Sequence, residues 1–199
     1  MKTKFLVLSL SFIFLLSCSI LTPFDKLSTS NSSSQIIGFD FAKQTPHIPT
    51  GDRNAATHLF VHKYPFPSAG SITGITFLND TDGGTEAFSL LILRPINEGW
   101  MVVHRVDISD EDIPVTKTGN TTIQFETALG VIKGDMFAHW QPDDTGPIPL
   151  NDESVSIEGL SFGRFGFNTE DIEEGQIIVN QNFSGGRDYF INLIFVASQ

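Results

Sequence analysis

Beyond residue 36 the apolar positions tend to recur at every second residue, in short runs broken by glycine, proline and aspartate. In Trp100 to Ile108, residues Trp100, Val102, Val106 and Ile108 fall on one face and Arg105 and Asp107 on the other. In Thr121 to Glu126, Ile123 and Phe125 alternate with Thr122, Gln124 and Glu126. Met136, Ala138 and Trp140 alternate with Asp135, Phe137 and His139. Tyr189 to Ala197 is apolar on both faces, as a strand covered on both sides would be. Ile72 to Leu78 and Ala87 to Leu93 flank the turn-forming stretch Asn79-Asp80-Thr81-Asp82-Gly83-Gly84-Thr85, which predicts a hairpin or a short inter-strand loop. No stretch after the N-terminus carries a long 3.6-residue period with a cap, and proline is spread through the intervening loops. The pattern predicts an all-β fold, an antiparallel β-sandwich of the jelly-roll type with about 8 to 10 strands. No repeat of fixed period is present, which argues against a propeller or a solenoid.

The N-terminus follows a different pattern. Lys2 and Lys4 precede an apolar run from Phe5 to Leu16 that only Ser9 and Ser11 interrupt, and the small residue Ser17 closes it. These are the three parts of an export signal. The run is shorter than the roughly 20 residues that a membrane-spanning helix needs. Leu15-Leu16-Ser17-Cys18 resembles a bacterial lipoprotein lipobox, and Cys18 is the only cysteine of the chain. The resemblance covers about the first 18 residues. It implies that the Cys18 sulfur carries a lipid and that the chain is cut just before it. A lone thiol has no intramolecular partner, and acylation gives it a purpose. The Ser-rich run from Ser28 to Ser34 cannot bury apolar surface and reads as a flexible tether. The expected organisation is a signal peptide over 1–17, a tether over 18–35 and a single β-sandwich domain over 36–199, exported and held at the outer membrane or cell surface. Plain secretion is the alternative. Four Asn-x-Ser/Thr sequons, at Asn31, Asn79, Asn120 and Asn182, would suit a secreted glycoprotein but are short and common.

Composition narrows the partners. The chain has 199 residues and 40% hydrophobic content, enough for a core without staples. Its net charge is −11, and loss of Lys2 and Lys4 with the leader leaves ten basic residues against 23 acidic ones, a net of −13. A field of that sign repels phosphate backbones, so nucleic acid is excluded as a natural partner. Cations, neutral sugars and basic proteins fit the sign.

The candidate chemistry is sparse. Asp80, Asp82 and Glu86 gather oxygen ligands around glycines, which suits calcium, though the spacing fails the EF-hand loop; a solvated acidic turn is the plainer reading. Asp143 and Asp144 form a second acidic loop. With Trp140 and Gln141 they offer a flat ring beside carboxylates and an amide, the combination that a sugar-binding site needs; Trp100 is a second candidate ring. Against this, Trp140 shares a face with Met136 and Ala138, and core is the plainer reading. His58 and His62 lie on one strand face with Phe60 between them. They lack a third metal ligand unless His104 or His139 supplies it through a tertiary contact, and they read as surface polar positions. His104 reads as a core histidine satisfied by a hydrogen bond. Gly159-Leu160-Ser161-Phe162-Gly163 matches the nucleophile-elbow pattern, but no histidine follows Ser161 and no βαβ alternation surrounds it, so catalysis there is rejected. Arg187-Asp188 after Gly185-Gly186 reads as an ion pair at a strand start.

Across residues 60 to 197 the pattern is similar to secreted β-sandwich domains of the galactose-binding-like, carbohydrate-binding kind. The residues that carry the likeness are Gly74-Ile75-Thr76-Phe77 before an acidic loop, Leu90 to Arg94 leading to Trp100, Gly134-Asp135 and the apolar closing strand. The resemblance implies binding of a glycan or a partner protein, often with a structural calcium. The expected function is therefore that of a non-enzymatic surface protein that binds an extracellular glycan or partner protein. A structural or assembly protein of the envelope is the alternative, and a polysaccharide hydrolase with paired carboxylates a more distant one. Metabolic labelling with a fatty-acid analogue tests the anchor: the protein is expected to take up the label, and Cys18→Ala to lose it.

Overall fold

Short β-rich runs separated by turn residues give twelve strands among the described residues. The computed structural model describes residues 33–46, 59–62, 64–79, 87–113, 119–142, 146–151, 161–163, 172–179 and 188–198. In chain order the strands are β1 Ser34–Gly38, β2 Leu59–His62, β3 Gly70–Asn79, β4 Phe88–Ile96, β5 Gly99–Ile108, β6 Gly119–Val131, β7 Met136–Trp140, β8 Leu150–Asn151, β9 Ser161–Gly163, β10 Ile177–Val179, β11 Asp188–Tyr189 and β12 Ile191–Ala197. All belong to the compact unit Ser32–Gln199. β1 begins at Ser34, so the last two residues read as tether are already paired, Ser34 with Val196 and Gln35 with Phe195.

The fold is an all-β sandwich. One sheet has four strands in the order β1-β12-β3-β6, and the other six in the order β10-β5-β4-β7-β2-β9. A ribbon of two strands, β11-β8, stands apart from both. Every described pairing is antiparallel. Leaving out β8 to β11, the first, eighth, third and sixth strands form one sheet and the second, seventh, fourth and fifth lie together in the other. That interleaving is jelly-roll connectivity. β3 and β4 therefore lie in different sheets, so of the two expectations for this part of the chain the hairpin is not met; residues 80–86 lie outside the described residues.

Alternation decides what each strand buries. Phe60, Leu90, Ile92 and Phe137 of the larger sheet meet Ile72, Ile75, Phe77, Leu193 and Phe195 of the smaller one in the main core. The abundance of phenylalanine is spent here: Phe77 and Phe88 meet edge to face across the two sheets at 5.2 Å, a geometry that adds roughly 0.5–1.5 kcal/mol to area burial. In β6, Ile123 and Phe125 pack on this core while Thr122, Gln124 and Glu126 face outward, as their alternation predicts. The other face of the larger sheet is also apolar. Leu59, Val61, Leu91, Leu93, Ala138, Trp100 and Trp140 form a second cluster under Ile172 and Ile178.

One alternation is broken. β4 and β5 pair Ile92 with His104 but Leu93 with Val102, so Val103 is an extra residue on β5. This bulge splits the four residues expected on one face. Trp100 and Val102 join the outer cluster, whereas Val106 and Ile108 face the main core.

Close backbone approach constrains Gly38, Gly70 and Gly74, and Gly70 most tightly. A Cβ on Gly70 would run into the Phe195 ring and the Val196 carbonyl, whereas one on Gly130, in the paired strand β6, would meet nothing. Gly70→Ala is expected to lower the unfolding free energy measured in urea by about 1–3 kcal/mol through overpacking. Gly130→Ala should stay within about 0.5 kcal/mol of the parent.

Candidate functional site

The larger sheet carries an unusual pair on its inner face. β2 and β7 pair Phe60 with His139 and His62 with Phe137, so the two histidines stand on a diagonal. His62 Nε2 and His139 Nδ1 are 2.8 Å apart, one donating and the other accepting. Both side chains are buried, at 0% and 2% exposure. Phe137 stacks on His62 with ring centroids 4.2 Å apart, and the edge of Phe60 meets His62 at 4.8 Å. Tyr189 of β11 closes the group, 4.5 Å from both His139 and Phe60. Burial first, and the neighbouring His62 second, push the His139 imidazole well below its ordinary value of 6.5.

His62 was expected at the surface. It is interior because it points to the inner face of the larger sheet, where Phe137 stacks on it and Phe60 and Tyr189 pack against it. His58 lies outside the described residues. Of the two histidines considered as companions, the structure brings His139 to His62 and sends His104 elsewhere. Lifted by the bulge, His104 joins its Nε2 to the carbonyl of Gly130 at 2.8 Å, with Glu174 Oε1 3.7 Å from Nδ1. Among the described residues no group of three or more His, Cys, Asp or Glu side chains is placed to hold a metal ion.

The expected aromatic platform is not on the surface. Trp100 and Trp140 are 6% and 8% exposed, packed in the outer cluster beneath Ile172 and Ile178. At that burial neither indole offers the open face on which a pyranose stacks. Trp140 Nε1 is buried without an acceptor. The amide of Gln141 is also occupied: its Oε1 accepts from Ile148 N at 2.8 Å and its Nε2 donates to Ile148 O at 3.0 Å. It closes its own loop rather than facing a ligand. Cys18, Asp80, Asp82, Glu86, Asp143 and Asp144 lie outside the described residues, as does Arg187. The side chains of Ser161 and Asp188 also lie outside the description.

Two arginines fasten the cover and one rim of the sheet. Arg105 donates from Nη1 to the Ile172 carbonyl at 2.8 Å and from Nε to Asp107 at 2.8 Å, and Ser89 donates to the same carboxylate at 2.6 Å. Arg105 thereby ties the segment carrying Ile172 onto the outer cluster. Arg94 grips Asp135 with two parallel bonds of 2.9 Å. Asp135 also accepts from Ile132 N at 2.9 Å, across a turn that Gly134 makes at φ +89°. The hydrogen bond and charge of Asp135 raise the Arg94 guanidinium above its ordinary value. Sequence reading had attached neither arginine to a structural role.

A third feature escaped sequence reading altogether. β10 borders the six-stranded sheet, pairing Ile177 with Met101, Ile178 with Trp100 and Val179 with Gly99. Ile178 is buried in the outer cluster, while Ile177 and Val179, on the opposite face, are each 58% exposed. Ile96 pairs with Gly99 from the other side and is 39% exposed. Gly99 has no side chain, so in this row of the sheet no strand side chain separates Ile96 from Val179. The available signal was three uncharged β-branched residues in succession, Ile177-Ile178-Val179.

No family model matches the chain, and no match was found among curated proteins or solved structures.

The Arg94–Asp135 pair yields a stability test. Arg94→Met leaves a buried carboxylate with one fewer partner. The expected loss is about 2–3 kcal/mol in urea unfolding, below the 3–5 of fully buried pairs because Arg94 is partly exposed.

Proposed function

We propose that this chain is an exported, lipid-anchored β-sandwich that holds a partner protein outside the cell, an extended segment of that partner adding itself as a strand at β10. The observation that carries this reading is the exposed aliphatic stripe of Ile96, Ile177 and Val179 at a sheet border. Edge strands are ordinarily shielded by lysine, proline, a bulge or inward charges. β10 has none of these in its three residues. β6, which borders the smaller sheet, instead presents Thr122, Gln124 and Glu126 outward. Strand addition draws affinity from main-chain hydrogen bonds and specificity from alternate side chains, and Ile177 and Val179 are the alternate pair of β10. The net charge of −11 favours a partner segment of basic character.

The glycan reading loses support because the rings that it relied on, Trp100 and Trp140, are packed in the outer cluster. The lipobox-like N-terminus supplies the location, and the Ser-rich run supplies reach, on the order of 20–25 Å from Cys18 to the first strand.

A photo-reactive residue at position 177 in intact cells is expected to capture a discrete protein, and one at Thr122 is not. The double substitution Ile177→Lys, Val179→Lys should abolish capture by a probe at position 96 while thermal unfolding stays near that of the parent, since surface changes stay within about 0.5 kcal/mol. Failure of position 177 to capture any protein would count against this function.

A further inference from the structure

The His62–His139 pair does more than fill the core. We propose that it is an acid-sensitive latch: uptake of a proton at His139 drives Tyr189 off the pair and releases β11 from the sandwich. The argument starts from position. His139 is buried on β7 against Phe60, His62 and Tyr189, with ring centroids at 5.7, 5.0 and 4.5 Å. Its Nδ1 is engaged with His62 Nε2, so a charge placed there faces a second imidazole and three aromatic rings, counting Phe137 stacked on His62.

The packed elements bring no described carboxylate to this place. β4 presents Leu90 and Ile92, paired with His139 and Phe137. Its next inward residue, Arg94, is committed to Asp135. β2 presents Phe60 and His62, and β11 presents Tyr189, whose phenol stays neutral in acid. Tyr64 stacks behind Phe137 at 6.4 Å. A proton on His139 is thus opposed by desolvation and by a neighbouring imidazole.

The element that yields is the one with the shortest ladder among the described residues. There β11 pairs with β8 through Asp188 with Asn151 and Tyr189 with Leu150. Phe190 N then reaches the Pro149 carbonyl at a long 3.4 Å. β12, which follows, is clamped between β1 and β3 along its whole length. Local opening is drawn from the least-bonded segments, so the charge is relieved by parting β11 from the pair while the four-stranded sheet stays intact.

The sign follows from linkage. His139 gives up its proton in the folded state at a pH where a free imidazole still holds it. Above about pH 6.5 the closed and open forms are both unprotonated there and the latch is unaffected by pH. Below it, the open form takes up a proton that the closed form refuses, and opening is favoured about tenfold for each further pH unit. The favoured window runs downward from pH 6.5 and ends where closed His139 itself protonates.

Amide hydrogen exchange of the purified protein, corrected for the intrinsic pH dependence of exchange, tests this. Protection at Tyr189 and Phe190 is expected to fall about fivefold between pH 6.5 and 5.5, while amides of β3 and β12 hold theirs. The variant His62→Gln, His139→Gln keeps a hydrogen-bonding pair without a titratable group, and its protection should be flat over the same range. Unchanged protection in the parent, an equal fall in the variant, or simultaneous loss of protection in β3 and β12 would each overturn the latch. Should the variant not fold, proton NMR of the imidazole carbons in the parent decides: titration of His139 at the free-histidine value would refute the proposal, and titration well below it together with the fall at Tyr189 would uphold it.

Discussion

Strand β4 is buried on both of its faces, and much of the molecule answers that one fact. Leu90 and Ile92 look toward the smaller sheet, and Leu91 and Leu93 look away from it into the second cluster. A strand apolar on both sides has to be covered on both sides. The smaller sheet is one cover. Ile172 contributes to the other, and Arg105 secures it through the Ile172 carbonyl. The exposed stripe is a by-product of the same requirement. Successive side chains of a strand point to opposite faces, so the strand that turns Ile178 inward must turn Ile177 and Val179 outward.

The polar groups inside the sandwich are handled unequally. Asp135 receives two bonds from Arg94 and one from Ile132 N. Gln141 exchanges two bonds with Ile148. Such groups are fully compensated and fix the turns that carry them. His139, by contrast, has one hydrogen bond to another imidazole and is otherwise ringed by aromatic groups. A neutral imidazole is comfortable there; a charged one is not. The same burial that lets the pair cement β2 to β7 holds the His139 imidazole well below its ordinary value.

Two of the four described borders of the sandwich, β6 and β10, differ in the same spirit. The outer side of β6 is threonine, glutamine and glutamate, and Thr76 meets Thr122 by hydroxyl contact at 3.0 Å. β10 is aliphatic. A protein that protects one edge and leaves another bare has distributed its risk of association unevenly, and the bare edge lies beside the glycine that makes the stripe continuous.

Alternation and turn residues were enough to read the fold class, because a half-buried strand repeats every two residues whatever it packs against. They also predicted the inward face of β6. They misjudged β5, since one bulged residue after Val102 swaps every later side chain to the other face, and no local pattern marks a bulge. They placed His62 at the surface, because the strands flanking β2 come from Met136–Trp140 and Ser161–Gly163, distant along the chain. The sequence by itself determined the strand-and-turn character, the acidic charge and the likeness of Leu15 to Cys18 to a lipobox, all of which are local properties. Only the tertiary structure decided that Trp100 and Trp140 are core, that His62 meets His139 across 77 positions and that Ile177 and Val179 stand bare at a border. Burial depends on which strands become neighbours, and in a jelly roll the neighbours are set by long-range pairing.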